Sequence, residues 1–367
     1  MPKSKASARS SKKHSNAPGV VILGPGQMGL VCAAVLSNPD AAAGAAVRPL
    51  NVSLWGHSID EIGPLAQTRR SPRLEGFVLS DDVHVFSRED DPAMSGAELI
   101  ISAIPVQFIR DTWKRIAPNI SPRAGIISVA KGIENTTLLR PTQIITEVLR
   151  ATGRDDPDKP ARAVGTLSGP TIAVELARCL PAAMIAASDD LDFAKRVQSI
   201  FATSWLRVYT NADLLGVELA GAVKNVIAIA AGIVDGLQAG NNAKSALLAR
   251  GLAEIARLGL AMGASPETFF GVAGVGDLAT SCFSPEGRNR SCGEALGKGS
   301  TLEEFLSQTP HVVEGVATAR SVVDLAKKYR VEMPITQAVH AVLFEGVDPI
   351  EAIGKLMSRE PKAERVR

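Results

Sequence analysis

Residues 19–36 read GVVILGPGQMGLVCAAVL: an apolar run, three glycines spaced G-x-G-x-x-G, and a second apolar stretch free of helix breakers. Few short patterns restrict a fold so strongly. Gly24 permits a tight turn at a strand end, Gly26 lets backbone amides approach a pyrophosphate, and Gly29 lets the next helix pack closely on the strand. A glycine-rich turn with no ligand can be spelled the same way, so the pattern counts only between a strand and a helix. It has that setting here.

The setting continues downstream. Apolar strands are expected at 51–56, 98–105, 124–132 and 161–169, each followed by a helical pattern. Unbroken runs such as LIISAI suit strands covered on both faces. Alternation of this kind builds a doubly wound parallel sheet. From about Asp213 strand signals stop, and segments of period near 3.6 occupy 213–237, 241–263, 316–329 and 335–345. The expected plan is a disordered basic tail (1–18), a dinucleotide-binding domain (19–211), an all-helical substrate-binding domain (212–358) and a disordered charged tail (359–367).

The formal charge of +2 conceals an uneven distribution. Residues 1–20 hold five Lys/Arg and no acid, leaving 35 basic against 38 acidic side chains elsewhere. A slightly acidic body with fifteen aromatics in 367 residues offers neither the cationic surface nor the stacking platforms of a nucleic-acid binder. The tail is Ser-rich and acid-free like a transit peptide, but without an amphipathic stripe it reads as a solubilising extension. It has no apolar centre of a secretory signal, and no uncharged apolar run approaches the ~18 residues of a membrane span. Cys32, Cys179, Cys282 and Cys292 form no CxxC and no His/Cys cluster, which suits a reducing cytoplasm and gives no metal site.

The stretch VELAGAVKNVIAIAAG, residues 217–232, has only Glu218, Lys224 and Asn225 as polar side chains. Lys224 is flanked at helical spacing by Ala220, Gly221, Ile227 and Ala228. An unpaired ammonium against such a face costs several kcal/mol or loses its proton. Either Lys224 snorkels outward, or its helix borders a cavity that uses it. Lys131 ends a strand at the carboxyl edge of the expected sheet, where ligands bind. The segment TLSGPTIAVE ends another strand at Ser168-Gly169, with Pro170 and Thr171 opening a helix whose free amides suit an anionic group. A glycine-rich loop, GVAGVGDLATSC, carries Asp277, and EGRNRSCG pairs Arg288 with Asn289, a guanidinium suited to phosphate. Each has a plainer use: a solvated lysine, a helix-capping aspartate, loop arginines at 288 and 290. Asn241, Asn242 and Lys244 are expected to start the next helix.

The second strand ends LWGHS, with no acid to grip a ribose 2′-hydroxyl or repel a 2′-phosphate. NADP is therefore favoured over NAD, with His57 at the ribose or its phosphate, although Asp60 and Glu61 follow and no arginine accompanies it.

Read in order, KGIE, LSGPTIAVE, GVELAGAVKNVIAIAAGIVDGL, AGVGDL, RNR and VVEGV resemble the bacterial NAD(P)-dependent glycerol-3-phosphate dehydrogenases, from Gly24 to about Met357. The resemblance implies a Rossmann-type α/β domain followed by an all-helical C-terminal domain, the 6-phosphogluconate-dehydrogenase-like plan. It implies reversible reduction of dihydroxyacetone phosphate to sn-glycerol 3-phosphate for phospholipid synthesis, by a cytoplasmic homodimer. Lys224 matches the family's catalytic lysine, Lys131 a second lysine between cofactor and substrate, and Asp277 a substrate-binding position that would orient Lys224. Arg288, Asn289, Gly169 and Thr171 match further substrate contacts, with Gly287 beside them. Gln27, Met28 and His57 match cofactor contacts, as do Ala173, Arg288, Val312 and Glu314, together with Lys131 and the three turn glycines.

Three departures stand out: Met28 replaces the usual aromatic, Gly287 replaces the usual serine, and NPDAAAGAAVRPL (38–50) lengthens a connection. A dehydrogenase of the same plan acting on another phosphorylated substrate or a hydroxyacid is the alternative reading.

Overall fold

The computed structural model describes residues 17–38, 50–155, 161–361 and 363. The expectations for residues 1–16, for 39–49 of the insertion, and for 362 and 364–367 of the charged tail lie outside the described residues.

The described residues form one eight-stranded sheet in the order β3-β2-β1-β4-β5-β6-β7-β8. The strands are β1 (Gly19–Leu23), β2 (Asn51–Trp55), β3 (His84–Phe86), β4 (Ala97–Ser102), β5 (Gly125–Ser128), β6 (Val164–Ser168), β7 (Ala182–Ser188) and β8 (Leu206–Asn211). Between them lie α1 (Gln27–Ser37), α2 (Ile59–Thr68), α3 (Pro92–Ser95), α4 (Val106–Ile116), α5 (Pro141–Ala151), α6 (Ala173–Ala177) and α7 (Leu191–Phe201). Alternate side chains of the strands enter two cores: Val20, Ile22, Leu54 and Ile101 face one way, Val21, Leu23, Trp55 and Ile100 the other.

Strands β1 to β6 run parallel, but β6 pairs with β7 antiparallel, and β8 follows β7. This corrects the wholly parallel sheet expected from sequence. The connection from β6 to β7 contains only the single-turn α6, so the chain returns from the edge where β6 ended instead of crossing the sheet.

The chain after β8 is helical: α8 (Leu214–Gly236), α9 (Gly240–Met262), α10 (Pro266–Phe270), α11 (Asp277–Phe283), α12 (Arg288–Gly297), α13 (Leu302–Gln308), α14 (Glu314–Tyr329), α15 (Pro334–Phe344) and α16 (Pro349–Met357). Asp213 caps α8, accepting from the Gly216 amide at 2.8 Å. By length and composition α8 is apolar enough to cross a membrane, yet its apolar window is entirely buried as the axis of a helical core. It joins the sheet through a small cluster of Ile185, Ala187, Leu214, Val217 and Ala273. Its buried Glu218 reaches back to α5, accepting from Thr142 N at 3.0 Å, Thr142 Oγ1 at 2.7 Å and Arg140 Nη1 at 2.5 Å. The segment expected as a glycine-rich loop before Asp277 is instead one π-helical turn, Val272–Gly276, running directly into α11.

Helix α12 crosses α8 at backbone contact. A Cβ on Gly232 would lie 1.9 Å from the Arg290 carbonyl oxygen, and one on Gly293 would lie 1.9 Å from that of Ile229. Only glycine at both positions permits this approach.

Candidate active site

A cleft of about 600 Å³ runs from the β1–α1 turn, past the ends of β5 and β6, to the start of α12. At its first end Gly24 adopts φ +105°, and a Cβ there would press on the Ala103 carbonyl oxygen at 2.9 Å. Gly29 packs under the turn, where a Cβ would meet the Gly24 carbonyl oxygen at 1.9 Å; it takes no part in the wall. At Gly26 a Cβ would meet nothing within 4 Å. The turn is thus bare on its cleft side, and the N-terminus of α1 opens there beside Gln27 and Met28. Free amides at a helix start attract an anion, so these residues fit the pyrophosphate of a dinucleotide. His57 lines the same end, while Ala173, Val312 and Glu314 line the opposing walls.

At the centre, one buried carboxylate holds two lysines. Lys224 Nζ donates to Asp277 Oδ1 at 2.7 Å and to Ser281 Oγ at 2.6 Å. Lys131 Nζ donates to Asp277 Oδ2 at 2.7 Å, to the Gly169 carbonyl at 2.9 Å and to Thr171 Oγ1 at 3.4 Å. The Asp277 side chain is 2% exposed, Lys224 8% and Lys131 15%. Of the two options for Lys224, snorkelling is the one not seen: it crosses its apolar neighbours to reach Asp277, 53 residues away. Lys131 has a depressed pKa. Burial lowers its pKa to about 8; Asp277 pulls upward against that, and the like charge of Lys224 adds to the fall. Burial also raises the Glu314 carboxyl, against the pull of Arg288 and the two lysines.

On another wall Gly287 precedes α12, whose first residues are Arg288 and Asn289. Arg288 Nη1 donates to the Val312 carbonyl at 3.0 Å, and Asn289 Oδ1 accepts from the Gly315 amide at 2.9 Å. Both also face the cleft. Gly169 does not line the wall and enters only through its carbonyl on Lys131.

Sequence reasoning passed over three groups. Ser281 lies one turn beyond Asp277 on α11, and that i, i+4 spacing is the signal that would have found it. Asn225 lines the cleft, and among the described residues its buried Nδ2 has no hydrogen-bond partner, a polar group that a ligand would satisfy. Arg73 also reaches the cleft, from a loop far beyond the end of β2.

Residues 19–194 match the family model for the N-terminus of NAD-dependent glycerol-3-phosphate dehydrogenase, and 213–354 that for its C-terminus. A protein of Salinibacter ruber named glycerol-3-phosphate dehydrogenase (NAD(P)+) 2 is 43% identical over 346 residues, covering 94% of this chain and 96% of that one. A Prosthecochloris aestuarii protein named glycerol-3-phosphate dehydrogenase (NAD(P)+) is 42% identical over 346 residues, covering 94% and 99%. The crystal structure of glycerol-3-phosphate dehydrogenase from Coxiella burnetii superposes with a TM-score of 0.84 at 31% identity, covering 94% of this chain and 99% of that one.

Proposed function

This chain belongs to the NAD-dependent glycerol-3-phosphate dehydrogenase family, and from that premise we propose how its cleft performs the NAD(P)H-dependent reduction of dihydroxyacetone phosphate to sn-glycerol 3-phosphate. The observation that carries the reading is the Asp277 carboxylate shared by Lys131 and Lys224, in a cleft lined also by the glycine turn and Arg288.

When bound, the nicotinamide cofactor supplies the hydride that reduces the ketone carbon. The chain supplies the proton. A carbonyl oxygen gaining electron density becomes an alkoxide unless an acid reaches it, and Lys224 Nζ is that acid, taking the proton back in the reverse direction. Two ammonium groups on one carboxylate leave a net positive charge, which polarises the carbonyl. Asp277 and Ser281 fix the direction of Lys224, and Gly169 with Thr171 does the same for Lys131. Arg288 and Asn289 hold the substrate phosphate through charge-assisted contacts, and the free amide of Asn225 bonds substrate or cofactor.

NADPH is the preferred cofactor in this reading, because β2 runs into Gly56-His57 with no acid at its end. By likeness to the family, the enzyme works as a cytoplasmic homodimer that supplies glycerophospholipid synthesis.

The test follows oxidation of NADPH, then NADH, with dihydroxyacetone phosphate and separately with a 2-keto carboxylate as acceptor. Turnover with the phosphorylated ketone is expected. Activity with the carboxylate alone overturns the reading.

Protonation of Lys131 gives a second expectation. The cation is the working form, and it exists below its pKa, so activity is present at low pH and lost as pH rises. In the reductive direction kcat/KM should be level below about pH 8 and fall above it. A profile that stays flat to the ordinary lysine range, about pH 10, removes Lys131 from the charged assembly.

A further inference from the structure

The structure assigns Arg73 as the residue that selects NADPH, an assignment that rests on the NADPH reading above. In a sheet of this order the adenosine ribose lies beyond the glycine turn, at the end of β2. That end abuts the turn: a Cβ on Gly56 would stand 3.2 Å from Pro25 Cγ. His57, Glu61 and Arg73 line the cleft there.

Glu61 sits in the first turn of α2, where a free carboxylate would accept from a ribose 2′-hydroxyl and repel a 2′-phosphate. It is not free. Arg73 Nε donates to Glu61 Oε1 at 2.6 Å. Among the described residues no group accepts from the two terminal nitrogens of Arg73, so one edge of the guanidinium cancels the acid while the fork stays available. A planar fork matches phosphate oxygens in a way a lone histidine does not. The positive field of Arg73 also reaches across the mouth of the cleft. Burial lowers the His311 pKa, and the cations Arg288 and Arg73 lower it further.

The ion pair has little structural duty. Its side chains are 40% and 27% exposed, and pairs so exposed add little to stability. Arg73→Ala should therefore fold with an unchanged melting temperature. Its kcat/KM with NADPH is expected to fall about 10- to 100-fold, while that with NADH stays level or rises, since the freed Glu61 can then accept from the 2′-hydroxyl. Adenosine 2′,5′-bisphosphate, as a competitive inhibitor, should weaken by a similar factor, and ADP should not.

Three outcomes overturn the assignment. A wild-type enzyme that favours NADH removes the cofactor reading and this assignment together. A wild type that favours NADPH, with its preference intact in Arg73→Ala, leaves the cofactor reading standing and strikes Arg73 alone. Equal weakening of adenosine 2′,5′-bisphosphate and ADP in the variant moves Arg73 to the pyrophosphate.

Discussion

Lys224→Ala is expected to lose ~10²–10⁴ of turnover while still binding cofactor, because the alkoxide would then draw its proton from water. The size follows from the burial of the site. Lys224 is nearly enclosed, and its ammonium is aimed by two partners at 2.7 and 2.6 Å. An aimed group pays no reorganisation at the moment of reaction, whereas water entering the vacated space must be ordered first. The loss should fall on kcat in both directions of the reaction, with the cofactor dissociation constant within about twofold of wild type. The far-ultraviolet spectrum should also be unchanged, since alanine suits the middle of a helix. A variant that retains more than half of the wild-type turnover would sink the role of Lys224. It would leave Lys131, the other amine on the same carboxylate, as the acid to test next.

Gly293→Ala is the other large effect, and it acts through the scaffold. The added methyl would lie 1.9 Å from the Ile229 carbonyl oxygen, 2.8 Å from its carbon and 2.9 Å from the Ile233 nitrogen. All three are backbone atoms of α8, so no side-chain rotation relieves the contact. The two helices must separate, at a cost of about 3 kcal/mol. Separation also carries Arg288 and Asn289, at the head of α12, away from Lys224 on α8. Urea titration should show a lower midpoint. At temperatures where the variant stays folded, KM for the phosphorylated substrate should rise more than kcat falls. Unchanged stability would mean that α12 yields without penalty, and the fixed spacing between amine and phosphate clamp would then be lost as an explanation.

Helical glycine pairs of this kind show where local reading stops. The spacing of Gly232 from Gly236, and of Gly293 from Gly297, is visible in the sequence. Nothing local says that the two pairs face each other. The strands show the same limit. β1, β2, β4, β5 and β6 announce themselves as apolar runs closed by turns, but β7 is AAMIAAS, an alanine-rich spelling that favours helix in isolation. Burial between β6 and β8 makes it a strand. β3 has only three residues and is held by pairing with β2. Arg73 was invisible as a cofactor residue because a reading of the nucleotide site ends with the second strand, whereas the chain folds back after α2 to deliver the guanidinium.

Whatever depends on near neighbours was legible along the chain. The glycines of the β1–α1 turn, the switch of period at Asp213, and an apolar helix with one embedded lysine are fixed by backbone geometry and by the alternation of apolar with polar residues. Which charges meet was settled by long-range packing. Asp277 is 53 residues from Lys224 and 146 from Lys131. It is the closing of the helical layer onto the sheet edge that brings all three into one volume with little water. Charges so enclosed must find partners, so the packing chose the pairing, and the burial that came with it loosens the proton of Lys131.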